Sequence, residues 1–187
     1  MPSHAIHSKH ARIFLKNQGV IPDLHRVRFV DLLIDDPEKY ASRVLELMET
    51  DDKIRLCIYR ELLNQTILLQ VLPQLGHDLR TQRYSPKKTG WSRNMIPFLR
   101  KLVKCVCGED YMLLVDLHVF LDMAEKWCCD DELLEDWAQD VGIDHKILEY
   151  YKENRKIIDY DLRCTIRLKQ GKCRKRNLAR MLRFNQI

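Results

Sequence analysis

Long apolar runs, internal repeats and glycine-rich segments are all missing from this sequence. No run of 18 apolar residues occurs, so we expect no transmembrane helix. Residues 1–7 also lack the uninterrupted apolar core of a secretory signal peptide. With only 6 glycines and 6 prolines among 187 residues, and no low-complexity segment, we expect little disorder away from the chain ends. These absences favour a folded cytoplasmic protein that does not enter a membrane.

Catalytic and phosphate-binding motifs are absent as well. The glycines occur singly, so no glycine-rich phosphate loop can form. No serine or cysteine stands between the two glycines of a nucleophile elbow. Paired acids such as Asp130–Asp131 stand where helices are predicted to begin, and helix capping explains them. We therefore predict a non-enzymatic protein that needs no cofactor.

The cysteines are seven in number, and their odd count and irregular spacing match no disulfide framework. They are Cys57, Cys105, Cys107, Cys128, Cys129, Cys164 and Cys173. The pairs Cys105/Cys107 and Cys128/Cys129 lack the gap and the second matching half of a zinc site. We predict free thiols packed as small apolar residues, and no bound metal.

Among the histidines on predicted helices, four are considered as possible site residues. His4, His7 and His10 are three residues apart, a spacing that can chelate an ion on a helix. A solvated first turn is the simpler interpretation, and we adopt it. His118 lies on an apolar stripe, where we expect a hydrogen-bonded core histidine and not a catalytic one.

Apolar residues recur with a helical period almost throughout the chain, and cap signals divide it into helices. After a first helix at 4–17, the predicted starting residues are Asp23, Pro37, Thr50, Ser92, Asp110, Asp130 or Asp131, and Asp144. The helix from Thr50 is expected to be long, reaching Val71 before Pro73 breaks it. No stretch alternates apolar and polar residues as a half-buried strand would. The sequence therefore predicts an all-α fold of packed helical bundles.

A boundary is predicted between Arg80 and Ser92, where proline, glycine and charge cluster and the apolar period stops. We expect an N-terminal helical domain at 1–80, a basic linker at 81–92 and a C-terminal bundle at 93–187. Each half would hold about five to six helices and pack against the other.

Charge is distributed in blocks that the net value of +5 conceals. Residues 1–78 carry 10 Lys/Arg and 11 Asp/Glu, and residues 79–108 carry 8 bases and no acid. Residues 109–161 carry 16 acids and 5 bases, and residues 162–187 carry 9 bases and no acid. Such blocks either neutralise each other between neighbouring helices or form patches of opposite sign that dock partners.

Complementary docking is the function we predict: a helical adaptor that binds a protein partner of opposite charge, or a second copy of itself. The candidate acidic residues are Asp130, Asp131, Glu132, Glu135 and Asp136. The candidate basic residues are Arg163, Arg167, Lys169, Lys172, Arg174, Lys175 and Arg176. The alternative is a nucleic-acid-binding protein, for instance one that binds RNA, in which the basic residues contact phosphates. Against that alternative, base-stacking aromatics are scarce near the basic segment.

Residues 114–184 resemble a death domain. Leu134 and Trp137, followed by the turn Val141–Asp144, resemble its second helix and turn. Leu162, Ile166 and Leu168, then Gly171, then Leu178, Met181 and Leu182 resemble its last two helices. The tryptophan falls one turn later than usual, and the segment 151–162 is shorter than the loop of that family. We expect Trp137 to be buried in either case.

The first half resembles a death effector domain in one place. Residues 58–63 followed by 67–69 resemble its closing helices, although Gln65–Leu68 stands where its Arg-x-Asp-Leu signature would be. Together the two resemblances imply a member of the death-fold superfamily, an adaptor of the Fas-associated type that acts by protein–protein association.

Overall fold

Helices make up most of the chain that the structure, a computed structural model, describes: residues 3–35, 37–62 and 89–170. In order they are α1 His4–Asn17, α2 Leu24–Asp35, α3 Pro37–Thr50, α4 Asp52–Leu62, α5 Thr89–Cys107, a 3₁₀ helix Glu109–Tyr111, α6 Leu114–Lys126, α7 Asp131–Val141, α8 His145–Leu162 and α9 Cys164–Lys169. No strand occurs within these ranges, which confirms the predicted all-α class. Among the helices described, none is long and apolar enough to cross a membrane.

Aspartate caps fix several helix starts where the sequence predicts them. Asp23, Asp51, Asp130 and Asp144 each accept a hydrogen bond from a backbone N–H two or three residues further on, at 2.8 to 3.2 Å. Each cap satisfies a donor that the first helical turn leaves without a partner. Gly142 ends α7 with a φ of 73°, a left-handed conformation that glycine adopts at little cost.

Two predicted helix starts are wrong. α5 begins at Thr89 and includes Ser92; serine is favoured as a cap but is also accommodated within a helix, so its presence alone does not fix the start. The helix expected from Asp110 begins only at Leu114, after a 3₁₀ turn. Tyr111 in that turn is buried, and its hydroxyl accepts a hydrogen bond from the backbone N–H of Asp23 at 2.8 Å. The predicted continuation of α4 to Val71 lies outside the described residues.

The helix α6 is the centre of the molecule. It packs against α1, α2, α5, α7 and α8, and every residue from Leu114 to Glu125 is buried. The sequence predicts one apolar stripe on this helix, but a helix surrounded by five others is buried on all sides. Its buried polar residues Asp116, His118, Asp122 and Glu125 therefore need partners on the neighbouring helices.

Helices before and after the predicted linker contribute to one cluster of buried side chains, which includes Phe14, Leu33, Leu102, Phe120 and Tyr151. Residues 81–88 of that linker lie outside the described residues, and residues 89–92 belong to α5. The division into two domains stays a prediction.

The prediction that all cysteines are free thiols is wrong for three of them. Cys57 on α4 and Cys105 on α5 form a disulfide, with their Cα atoms 5.5 Å apart and a separation of 48 positions in sequence. Cys128 is disulfide-bonded as well. The prediction is confirmed for Cys107, Cys129 and Cys164, which are buried free thiols. Sequence spacing does not show which cysteines the packing of α4 on α5 brings together.

Candidate functional site

The acidic residues predicted to bind a partner lie along α7 and divide into two groups. Glu132 and Asp136 are exposed to solvent, four residues apart and therefore on one side of the helix. Asp130 is exposed and also caps α7. Asp131 and Glu135 instead face α8.

The contacts of Asp131 and Glu135 hold α7 on α8. Asp131 Oδ1 accepts hydrogen bonds from the Tyr151 hydroxyl at 2.5 Å and from Arg155 Nε at 3.0 Å. Glu135 Oε1 lies 2.9 Å from Lys152 Nζ. These two acids have a structural role, which leaves Glu132, Asp136 and Asp130 as the outward members of the predicted set.

Two half-buried arginines pair with buried acids of α6. Arg100 forms two hydrogen bonds to the buried carboxylate of Asp116. Arg167 Nη1 donates to Glu125 Oε1 at 2.5 Å. These two pairs neutralise one base each from residues 79–108 and 162–187 with an acid from residues 109–161. Of the predicted basic residues, Arg163 is exposed at the end of α8. The Lys169 side chain and Lys172, Arg174, Lys175 and Arg176 lie outside the described residues.

The surface of residues 109–161 is consequently acidic. This segment has three exposed lysines, Lys146, Lys152 and Lys156, and nine exposed acids. The acids are Glu109, Asp110, Asp130, Asp131, Glu132, Asp136, Asp140, Glu149 and Glu153. We call the exposed residues Asp130, which caps α7, and Glu132 and Asp136, which lie on it, the acidic face.

A second arrangement, which the sequence did not predict, is a buried cluster of histidines and aspartates between α1, α2 and α6. The rings of His7 and His118 stack in parallel, with centroids 3.8 Å apart. His118 Nδ1 lies 3.3 Å from Asp31, and its Nε2 lies 3.3 Å from Asp35. Asp122 lies 3.3 Å from His7 Nε2 and 4.0 Å from His118 Nε2.

The two stacked histidines differ in their affinity for a proton. Burial lowers the pKa of His118, but its hydrogen bonds to Asp31 and Asp35 and the charge of Asp122 outweigh burial and raise the pKa to about 10. Burial and the neighbouring charge of His118 lower the pKa of His7. At neutral pH the stack is therefore an imidazolium, His118, against a neutral imidazole, His7.

The donor atoms of His7, His118 and Asp122 lie within 4.8 Å of one another, as they would in a metal site. Two features of the cluster do not fit an ion. Both nitrogens of His118 already face carboxylates, those of Asp31 and Asp35. The nearly parallel rings also keep their in-plane lone pairs in two separate planes, so these lone pairs do not converge on one point. The cluster is arranged to hold a proton on His118.

The prediction for His118 is confirmed, and the one for His7 and His10 is wrong. His118 is buried and hydrogen-bonded. His7 and His10 are buried too, because α1 packs against both α6 and α8. His10 Nδ1 lies 2.8 Å from the hydroxyl of Tyr150 on α8, and its Nε2 lies 3.0 Å from Asp161. Only His4, whose side chain is 58% exposed, keeps the predicted solvated position.

No known protein family, curated protein or solved structure matches this chain.

Proposed function

We propose that this protein is a non-enzymatic helical adaptor whose acidic face binds a basic protein segment. One observation carries the proposal. The exposed charge of residues 109–161 is strongly acidic, whereas the bases Arg100 and Arg167 are held in pairs with buried or half-buried acids. A surface with that imbalance attracts cations, and complementary charge fixes the orientation in which a partner docks.

The rigidity of α7 supports the same function. Asp131 and Glu135 bind this helix to α8, and Leu133, Leu134 and Trp137 bury its inner side. The acidic face is therefore held in place before a partner arrives, which lowers the entropy that binding must overcome. The resemblance to death-fold adaptors, which stays a prediction, implies protein–protein association as well.

A basic segment occurs in the chain itself. Residues 162–187 contain 9 Lys/Arg and no acid, so a second copy of the protein can supply the partner. The same segment underlies the alternative, a protein that binds RNA through phosphate contacts. The acidic face opposes that alternative, because it repels a phosphate backbone.

We predict that the double variant Glu132→Lys/Asp136→Lys loses at least about tenfold in affinity for an arginine-rich peptide, since two attractive charges become repulsive. The matched control is Glu46→Lys/Glu49→Lys on α3, which changes the net charge equally and should bind the peptide nearly as wild type does. Fluorescence anisotropy at two salt concentrations measures both. Neither variant touches the contacts between α7 and α8.

Random RNA provides the contrasting ligand in the same assay. If the adaptor function holds, wild type binds the peptide more tightly than RNA, and reversal of the acidic face weakens peptide binding alone. The nucleic-acid alternative would be favoured by tight RNA binding that falls steeply with salt, together with a peptide affinity that is equal in wild type and in Glu132→Lys/Asp136→Lys.

A further inference from the structure

Two of the buried free thiols are in direct contact. Sγ of Cys129, in the turn between α6 and α7, lies 2.7 Å from Sγ of Cys164, the first residue of α9. Both side chains are buried. Nonbonded heavy atoms pack about 3.5–4 Å apart, whereas the sulfurs of a disulfide are separated by about 2.0 Å. The Sγ–Sγ distance is therefore shorter than a nonbonded contact and longer than a disulfide bond.

A metal ion does not account for this distance. Asp159 also has a carboxylate oxygen within 4.8 Å of both sulfurs, so the three residues could in principle ligate zinc. Two thiolates on a tetrahedral zinc ion, each bonded at about 2.3 Å, would however stand about 3.7 Å from each other. The sulfurs of Cys129 and Cys164 are a full ångström closer.

We propose that Cys129 and Cys164 are a disulfide site that ties the start of α9 to the turn that begins the acidic helix α7. The bond forms by exchange with a low-molecular-weight disulfide or with the disulfide of an oxidoreductase. Cys129 and Cys164 each give up a hydrogen and are oxidised together to one S–S bond. The oxidant disulfide takes the two electrons and two protons and leaves as two thiols.

The surroundings of the pair restrict when this exchange can happen. The contact with Cys129, together with burial, raises the pKa of the Cys164 thiol, so little thiolate is present in the folded protein. The thiolate is the species that attacks a disulfide. The exchange therefore takes place before the core closes, during folding in the presence of the oxidant. The Cys57–Cys105 disulfide also needs an oxidant in order to form.

The location of the site gives the bond a structural consequence. The carbonyl oxygen of Cys129 accepts a hydrogen bond from Arg155 Nη2 at 2.5 Å, and the next residue, Asp130, caps α7. Cys164 lies near the start of the basic segment at residues 162–187. The disulfide thus anchors that segment beside the first turn of the acidic helix, whether or not the acidic face has the function proposed above.

The test uses the full chain refolded in a glutathione redox buffer, then denatured and treated with N-ethylmaleimide without reductant. Mass spectrometry reports the alkylated fraction of each cysteine. We expect Cys164 to be protected in wild type, like Cys57 and Cys105, and Cys107 to be alkylated. In Cys129→Ser the protection of Cys164 should be lost. Cys107→Ser, which removes a buried thiol that has no sulfur neighbour among the described residues, is the matched control and should leave Cys164 protected.

Three results would overturn the proposal. Cys164 could be alkylated in wild type while Cys57 and Cys105 remain linked. Its protection could be removed by a chelator without a reductant, which would identify a metal site. Protection could also persist in Cys129→Ser, which would identify a different partner. Because alkylation is performed on denatured protein, the wild-type measurement decides the question even if a variant folds poorly.

Discussion

Replacing His118 by alanine should lower the free energy of unfolding by about 3–5 kcal/mol, which is the usual cost of removing one partner from a buried charge pair. The imidazolium of His118 is wholly buried, and it lies 3.3 Å from both Asp31 and Asp35. Without it, these carboxylates and that of Asp122 would face one another without a positive charge between them. Chemical denaturation of wild type and variant measures the loss.

The control for this prediction is His4→Ala. His4 lies 3.2 Å from the same Asp35, but its side chain is 58% exposed. Solvent screens such a pair, so the loss should stay below about 1 kcal/mol. An equal loss in the two variants would show that the burial of His118 does not make its ion pairs more stabilising than that of His4.

The effect of His118→Ala should also depend on pH. The pKa of His118 is raised from 6.5 to about 10 on folding. The stability that protonated His118 contributes is therefore complete below pH 6.5 and is lost as the pH rises through about 10. The difference in unfolding free energy between wild type and variant should shrink over that interval. A difference that stays constant would mean that His118 is neutral in the fold.

Trp137→Ala should cost about 3–5 kcal/mol, as is usual when a buried aromatic side chain is truncated. Trp137 is 5% exposed. Its ring meets Trp127 edge-on at 5.9 Å between centroids and Phe120 at 6.5 Å. The substitution would leave a cavity between α6 and α7 that the neighbouring rings cannot fill.

A thermal melt compares Trp137→Ala with Tyr160→Ala. Tyr160 is 82% exposed on α8, so its truncation should change stability by no more than about 0.5 kcal/mol. An unchanged melting temperature for Trp137→Ala would contradict the burial of this ring and would make Trp137 a candidate anchor for a partner instead.

The helix boundaries were the most predictable part of this fold, because they depend on residues close together in sequence. Asp23, Asp130 and Asp144 cap helices within three residues of themselves, and Gly142 ends one by its own backbone conformation. The late start of α6 was not predictable in the same way. It depends on the docking of Tyr111 against a residue 88 positions away.

The burial of His7 and His10 was not predictable from the sequence around them. His7 and His10 resemble a solvated first turn because the sequence around them is polar. Their burial depends on where α6 and α8 place Asp122, Tyr150 and Asp161. One signal was available: His118 and Asp122 stand four residues apart on the most apolar of the described helices, and buried polar groups there require partners from elsewhere.

The candidate acidic face was predictable in composition but not in detail. Counting charges located it on the helix that begins at Asp131, and the structure places Glu132 and Asp136 outward there. The charge count did not indicate that Asp131 and Glu135 bind α8, because those contacts depend on Arg155 and Lys152 lying opposite them. Variants at Asp131 or Glu135 would disturb the fold together with the surface, so they are poor probes of function.

The central claim, that the acidic face recognises a basic protein segment, is tested most directly by exchanging charges across the contact. The ligand is a labelled peptide of residues 171–187 with Cys173→Ser, beside a version in which Lys172, Arg174, Lys175 and Arg176 are replaced by glutamate. Each peptide is titrated by anisotropy with full-length wild type and with Glu132→Lys/Asp136→Lys. Wild type should prefer the native peptide and the reversed protein the reversed peptide, because restored opposite charge restores binding. If the native peptide bound both proteins equally, the acidic face would not be a docking site.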